Sequence, residues 1–322
     1  MLLDTCSSPI KPTTISPFSN DNSISAISKH MNINSDSIES VVLSNDKRGV
    51  SEVSHHIAPE FCTSAANFAL THRGHVLITT GFYIAPAKAA ETDGPPGAIA
   101  LGNALKTLGF SVAYVSDLHL SSLLDKHIGG DSKIIEFPIT DRAKSDSFAE
   151  TVISRETPDL LISIERCGPT ESDTYLNMRG VDISNNTARI DSLFNFGIPS
   201  IGIGDGGNEI GMGSLAHVIP EVKTLPAEPC ITHTDELILA SVSNWGAYGL
   251  IAALSNEVKQ QLLPSILTDR LLIESLVHSG LVDGTTGEGT YKVDGFTLDD
   301  NSQVLIALEK LTGTFKRKTN LL

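Results

Sequence analysis

Between residues 75 and 207, short runs of consecutive apolar residues alternate with segments of helical pattern, and this alternation leaves the chain few folds to choose from. HVLITTGF (75–82), VAYVSD (112–117), KIIEFPI (133–139), PDLLISIERCG (158–168) and PSIGIGDGG (199–207) read as buried strands. SAANFALTHRG (64–74) precedes the first as a helix. PPGAIALGNALKTLG (95–109), LSSLLDKHIGG (120–130), DRAKSDSFAETVISRE (141–156) and NNTARIDSLFNFG (185–197) read as helices between them. Prolines 95 and 96 open one helix, and Gly74 and Gly109 close two others. Continuous apolar strands joined by helices imply parallel βαβ units covered on both faces.

The expected fold is therefore α/β: a doubly wound, mostly parallel sheet in a Rossmann-like three-layer arrangement. Helical C-terminal additions follow, with a strand joined to a helix over 230–256 and helices at 268–280 and 298–313. In such sheets ligands bind beyond the carboxyl ends of the strands. Residues 1–35 are rich in Ser, Asn, Thr and Pro and poor in large apolar groups, so we expect a disordered tail there. Residues 36–322 are expected to form a single α/β domain. The stretch 237–254 carries no charge, but Ser241, Ser243, Asn244, Gly246 and Gly249 interrupt it, which favours a buried strand and helix over a membrane span.

Charge narrows the partners. A net charge of −15 suits neither a nucleic-acid backbone nor an anionic membrane surface. The expected partner is a small-molecule amino acid substrate, and a homo-oligomer is compatible with the composition. The four cysteines are scattered without a CxxC pair, which points to a reducing compartment and an inert Cys167 thiol. No Arg precedes Arg48, which argues against a mitochondrial presequence, so a cytoplasmic location is expected.

Four polar stretches follow the strands. The first holds Glu91 and Asp93 before a helix whose free amides suit an anion. The second, after PDLLISIE, combines Glu165, Arg166, Asp173, Arg179 and Asp182, which can serve as carboxylate binders or as an internal ion-pair network. The third is GIGDGGNEIGMG (202–213), where Gly202-x-Gly204-x-x-Gly207 has the spacing of a dinucleotide fingerprint. Asp205 sits inside the would-be phosphate turn, Glu209 adds charge, and no long helix follows, so NAD is not expected. The loop reads instead as a glycine turn presenting Asp205, Asn208 and Glu209 to a ligand. The fourth, SNWG (243–246), contains the only tryptophan, which most often belongs to a core. His233 and Asp235 share a strand face but make a weak metal pair.

Taken in order, TGF, ETDGPPGA, ERCGP, NMRG-x-DIS, GIGDGGNEIGMG and SNWG resemble the C-terminal domain of D-glutamate cyclase, which also occurs as a stand-alone family. KRGV (47–50) and the VDG pairs at 282–284 and 293–295 fit the same pattern, so the resemblance spans roughly residues 45–313. The larger cyclase carries an additional N-terminal region that this sequence lacks. The resemblance implies a lyase that interconverts D-glutamate and 5-oxo-D-proline with loss or gain of water.

Chemistry then suggests roles. Arg166 or Arg179 would anchor the α-carboxylate. Glu91 or Glu209 would act as general base. Asp93, Asp205, Glu165 or Asp173 would bind Mg²⁺ or Mn²⁺ or steer protons. Asn208 and the loop amides would stabilise the oxyanion. This scheme requires Asp205 and Glu91 to lie on one side of the sheet. Two alternatives stand beside it: a metal-dependent hydrolase or transferase acting on a small phosphorylated or nucleotide substrate, and a non-catalytic amino-acid-binding subunit.

Overall fold

The computed structural model describes residue 31 and residues 33–313. Six parallel strands form the central sheet: β1 (His75–Thr80), β2 (Ser111–Ser116), β3 (Lys133–Glu136), β4 (Leu160–Ile164), β5 (Ser200–Gly204) and β6 (Glu236–Leu239). Their spatial order is β3-β2-β1-β4-β5-β6, the order of doubly wound nucleotide-binding folds. The helices are α1 (Ile38–Val42), α2 (Phe61–Thr71), α3 (Pro95–Thr107), α4 (Ser121–Leu124), α5 (Arg142–Glu156), α6 (Ser243–Val258), α7 (Ile266–His278) and α8 (Leu298–Leu311).

Alternate strand residues feed two cores, as the pleat requires. Val76 and Ile78 of β1 join a large core with α1, α2, α3, α6 and α8. Leu77, between them, faces a smaller one with Ala149 and Val152 of α5. Three layers result, with the chain switching faces between β1 and β4. The expected α/β class and the C-terminal helices are both present. Residues 237–254 divide into β6 and α6, and among the described residues no helix is long and apolar enough to cross a membrane. Trp245 is fully buried, with its indole N–H donating to Asn301 Oδ1 at 2.7 Å.

Two expected helices differ. Residues 185–197 form tight 3₁₀ turns, Ser184–Asn186 and Ile190–Phe196, separated by an extended Thr187. The Asp191 side chain is tied to Arg142 and Tyr175, which fixes this segment against α5 instead of along its own axis. Residues 120–130 keep only the single turn of α4. The tail expected over 1–35, and Cys6 with it, lies almost wholly outside the described residues. Met31 and Ile33 pack against the large core.

What positions the site is a reciprocal cap. The amides of Ser243 and Asn244, at the start of α6, both donate to Asp93 at 2.8 Å. Asn244 Oδ1 accepts in return from Gly94 and Gly97 at the start of α3, and its Nδ2 donates to the carbonyl of Thr92. Gly94 adopts φ 93, a conformation that favours glycine, and its backbone lies against Thr80 and Glu165. Each helix is thus capped by a side chain from the other, which locks the loop after β1 to the loop after β6. While the Gly94 amide keeps Asp93, Asn244→Ala leaves the buried Gly97 amide and the Thr92 carbonyl without these partners. It is expected to destabilise the protein by about 2–4 kcal/mol in denaturant titration, and a change below about 0.5 kcal/mol would contradict the cap.

Candidate functional site

Beyond the carboxyl ends of β1, β4 and β5 lies a cavity of about 330 Å³. Its walls carry Arg48, Glu91, Glu165, Arg179, Asp205 and Asn208 among their polar residues. Glu91 and Asp205 therefore share one cavity, as the sequence-based scheme requires. The volume sits at the lower end for ligand pockets and suits a small acid better than a dinucleotide.

Each acid is held by a particular backbone feature. Glu165 follows β4 directly in the left-handed region, φ 48, and its carboxylate accepts from Ser243 Oγ at 2.6 Å. Glu91 pairs as a backbone bridge with Val282, and its carboxylate lies against Gly284, where a Cβ would stand 1.8 Å from Oε2. Glu209 folds back over its own loop, accepting from the Gly207 amide at 2.7 Å. Gly206 makes room for this, because a Cβ there would meet Met178 Sδ at 2.5 Å and Glu209 Oε1 at 2.8 Å.

Behind the walls stand Asp93, Glu209 and Asp294. Together with Glu91, Glu165 and Asp205 they make six buried carboxyl groups. One guanidinium meets them: Arg48 pairs with Asp205 through Nη1 and with Asp294 Oδ2 at 2.9 Å through Nη2. Burial opposes the charge on Arg48, but Asp205, Asp294, Glu165 and Asp93 outweigh it and keep the group protonated well above its usual range. Lys47 is a further cation at the edge, 3.4 Å above the Phe296 ring and bonded to the Asp294 carbonyl.

The carboxyl groups respond in the opposite direction. Burial, then Asp294 and Glu165, push Glu91 well up; burial, then Glu209 and Asp93, do the same for Glu165. Burial also raises Asp205 and Glu209 against the pull of Arg48. Asp93 rises to about 7, through burial and Asp294, restrained by the amides of Asn244 and Ser243.

These residues also fit a divalent cation. Asp93, Asp205 and Asp294 each offer an oxygen within 4.8 Å of the others, and so do Glu165, Asp205 and Glu209. Asn208 Oδ1, Glu209 Oε1 and Asp294 Oδ1 are buried without a hydrogen-bond partner. Hard oxygens at this spacing suit Mg²⁺ or Mn²⁺ better than a soft metal.

Other candidates fall elsewhere. Arg166 is not among the residues lining the cavity; it donates to the carbonyls of Gly81 and Ala188 and pairs with Asp117, which braces strand ends. Arg179 lines the cavity and has no ion pair among the described residues. Asp173 lies outside it, in an ion-pair network with Arg142 and Arg189. Asn208 donates through Nδ2 to the Leu176 carbonyl, and its Oδ1 is buried without a hydrogen-bond partner. Most of the loop amides are engaged within the protein: those of Gly211 and Gly213 bond to Thr232, and those of Ile210 and Met212 to Arg166 and Glu209. The α3 amides expected to attract an anion are taken by Asn244. Asp235 anchors Ser200 at the far end of β5. Cys167 is buried with its thiol pushed up, which agrees with an inert group.

Arg48 and Asp294 had no assigned role in the sequence. Both lie in quoted motifs, KRGV and the second VDG, but in stretches without periodic structure. Asp294 also adopts φ 50, which no local pattern announces.

The raised carboxyls make a signed prediction. A folded-state value above the unfolded one means that the native chain holds protons the unfolded chain has released. Stability therefore declines as pH rises through that window. In chelator, the unfolding midpoint is expected to fall between about pH 5 and pH 8. Glu91→Gln, which removes an unpaired buried acid, is expected to raise the midpoint at the alkaline end by a few degrees, at about 2–4 °C per kcal/mol. Scanning calorimetry across pH checks both; a midpoint that climbs with pH would refute a protonated cluster.

Comparison with known proteins agrees with this geometry. The family described as D-glutamate cyclase-like, C-terminal, matches residues 38–309. D-glutamate cyclase, mitochondrial, from Homo sapiens is 31% identical over 284 residues, an alignment that covers 75% of this chain and 46% of the relative, so the chain spans about half that protein's length. Among solved structures, actinorhodin polyketide ketoreductase with NADPH aligns at 13% identity and a TM-score of 0.29, over 75% of this chain and 91% of that one, which is too slight to carry an argument. With a family match running from the start of α1 nearly to the end of α8, the chain belongs to the D-glutamate cyclase-like C-terminal family.

Proposed function

We propose that the chain is a lyase interconverting D-glutamate and 5-oxo-D-proline at the cavity beyond β1, β4 and β5. The observation that carries this reading is a small cavity walled by the buried carboxyl groups of Glu91, Glu165 and Asp205 and by the guanidinium groups of Arg48 and Arg179, with Asp93, Glu209 and Asp294 buried behind them. Cyclisation joins the α-nitrogen to the carbon of the γ-carboxyl group and breaks one carbon–oxygen bond of that group. Two protons leave the nitrogen and two end on the oxygen that departs as water, so the reaction needs a proton relay more than a net acid or base.

In this scheme Arg179 takes the unreactive α-carboxylate at the cavity mouth. Asn208 Oδ1 accepts from the α-ammonium, whose positive charge favours the ionised form of the carboxyl beside it. Glu91 receives the proton that frees the nitrogen lone pair. Glu165, kept protonated by burial and held by Ser243, gives a proton to the departing oxygen. Arg48 faces the negative charge of the tetrahedral intermediate. Mg²⁺ or Mn²⁺ would be held by Asp93, Asp205 and Asp294, which leaves Glu165 free for proton transfer, and when bound would supply Lewis acidity toward the γ-carboxylate. We also assign the chain to a reducing compartment, the cytoplasm, on the three free, buried cysteines among the described residues. Fractionation of cells with an antibody to the chain tests that assignment.

The decisive assay incubates the purified chain with D-glutamate, L-glutamate or 5-oxo-D-proline, each with Mn²⁺, Mg²⁺ or chelator, and resolves products by chiral chromatography. Metal-stimulated conversion of the D-form is expected. Glu91→Gln and Asp205→Asn are expected to lower kcat by about 10²-fold or more, while Arg179→Ala acts mainly on KM. Turnover of neither enantiomer under any condition would defeat the proposal for the isolated chain. Ligand binding without turnover would favour a binding subunit.

A further inference from the structure

A second cavity, of about 230 Å³, lies between the second half of α3, the segment 260–264 after α6, and α7. It shares no wall residue with the first. Ile99, Ala104, Leu262 and Leu272 make much of its lining apolar, and Asp269 is the single charged residue in the wall. Asp269 is only 2% exposed. One of its oxygens, Oδ1, accepts from the phenol of Tyr248, while Oδ2 is buried and has no hydrogen-bond partner. Gln260, on the same wall, buries an amide nitrogen that likewise has no partner.

An unmatched buried acceptor and an unmatched buried donor on one cavity wall ask for one occupant that supplies both counterparts. Native proteins leave few such groups unpaired, and the exceptions call for an explanation. The sign of the charge decides the class. A carboxylate with one phenol donor and no cation in the wall is poorly compensated, and a positive occupant relieves it far better than a neutral one. The apolar walls call for a hydrocarbon body, and the Gln260 amide calls for an acceptor on it. The volume limits the occupant to a few heavy atoms, below the range of drug-sized ligands.

We infer that this cavity is a binding site for a small organic ammonium ion, its charged head on Asp269 and a hydroxyl or carbonyl oxygen on Gln260. The site is independent of the proposed cyclase reaction and stands or falls without it.

The test uses the full chain and a matched series of probes: aminobutanol, n-butylammonium, butanol and butyrate. Isothermal titration measures affinity, and amide chemical shifts of Ala100, Ala104 and Leu272 locate the occupant. Aminobutanol is expected to bind saturably at millimolar concentration and to shift these amides. Butylammonium should be weaker by the lost acceptor, and butanol and butyrate weaker by roughly tenfold or more. Asp269→Asn is expected to remove the preference for the amine, and Gln260→Leu to remove the advantage of aminobutanol over butylammonium. If Asp269→Asn does not fold, the probe series on the unaltered chain still decides. Equal binding of amine and alcohol, shifts confined to other surfaces, or no saturable binding by either amine would overturn the inference. In the last case the cavity holds water alone.

Discussion

Every part of the first cavity depends on the contact between Arg48 and the buried acids. Desolvating a single unpaired carboxylate costs several kcal/mol, and here six lie close together. Two escapes exist: hold the protons, or bring in positive charge. The protein uses both. Burial shifts the acids toward their neutral forms, and the Arg48 guanidinium bridges Asp205 after β5 to Asp294 near the C-terminal end. Three stretches far apart in the chain are thereby tied at one point, and the remaining unsatisfied oxygens give the cluster its capacity for a cation.

Glycine and helix termini make that concentration of charge sterically possible. The glycine-rich loop after β5 has the spacing of a phosphate cradle but not its use. Gly206 lets Glu209 and Asn208 double back beside Met178, and the Gly207 amide of the would-be phosphate turn bonds to the Glu209 carboxylate. Gly284 gives Glu91 a flat backbone to lie against. Asp93 and Asn244 each cap the helix that follows the other's loop, so the carboxylate that rises to about 7 is also a structural pin. Binding chemistry and loop architecture share the same side chains.

Much of the site was legible because its acids sit at strand ends. Glu91, Glu165, Asp205 and Glu209 each follow an apolar run, and sheet topology brings such positions together. Arg48 and Asp294 escaped because irregular segments carry no periodicity that would locate them. The two arginines after β4 could not be told apart from composition. Arg166 finds the carbonyls of Gly81 and Ala188 and the acid of Asp117, all remote in sequence, whereas Arg179 finds none. Asn208 was expected as a donor; one Nδ2 hydrogen goes to the Leu176 carbonyl, and its Oδ1 is buried as an unmatched acceptor.

The sequence alone determined a parallel, doubly wound α/β sheet with C-terminal helices. That follows from local physics: buried strands need continuous apolar runs, and parallel neighbours need a crossover between them. Helical form over 185–197 and 120–130 did not follow, because tertiary ties to Arg142 and Tyr175 or the brevity of a single turn overrode propensity. Only the tertiary structure decided which charged groups meet. The order β3-β2-β1-β4-β5-β6 sets the ends of β1, β4 and β5 side by side, and electrostatics in a low-dielectric site depends on distances that no spacing along the chain encodes.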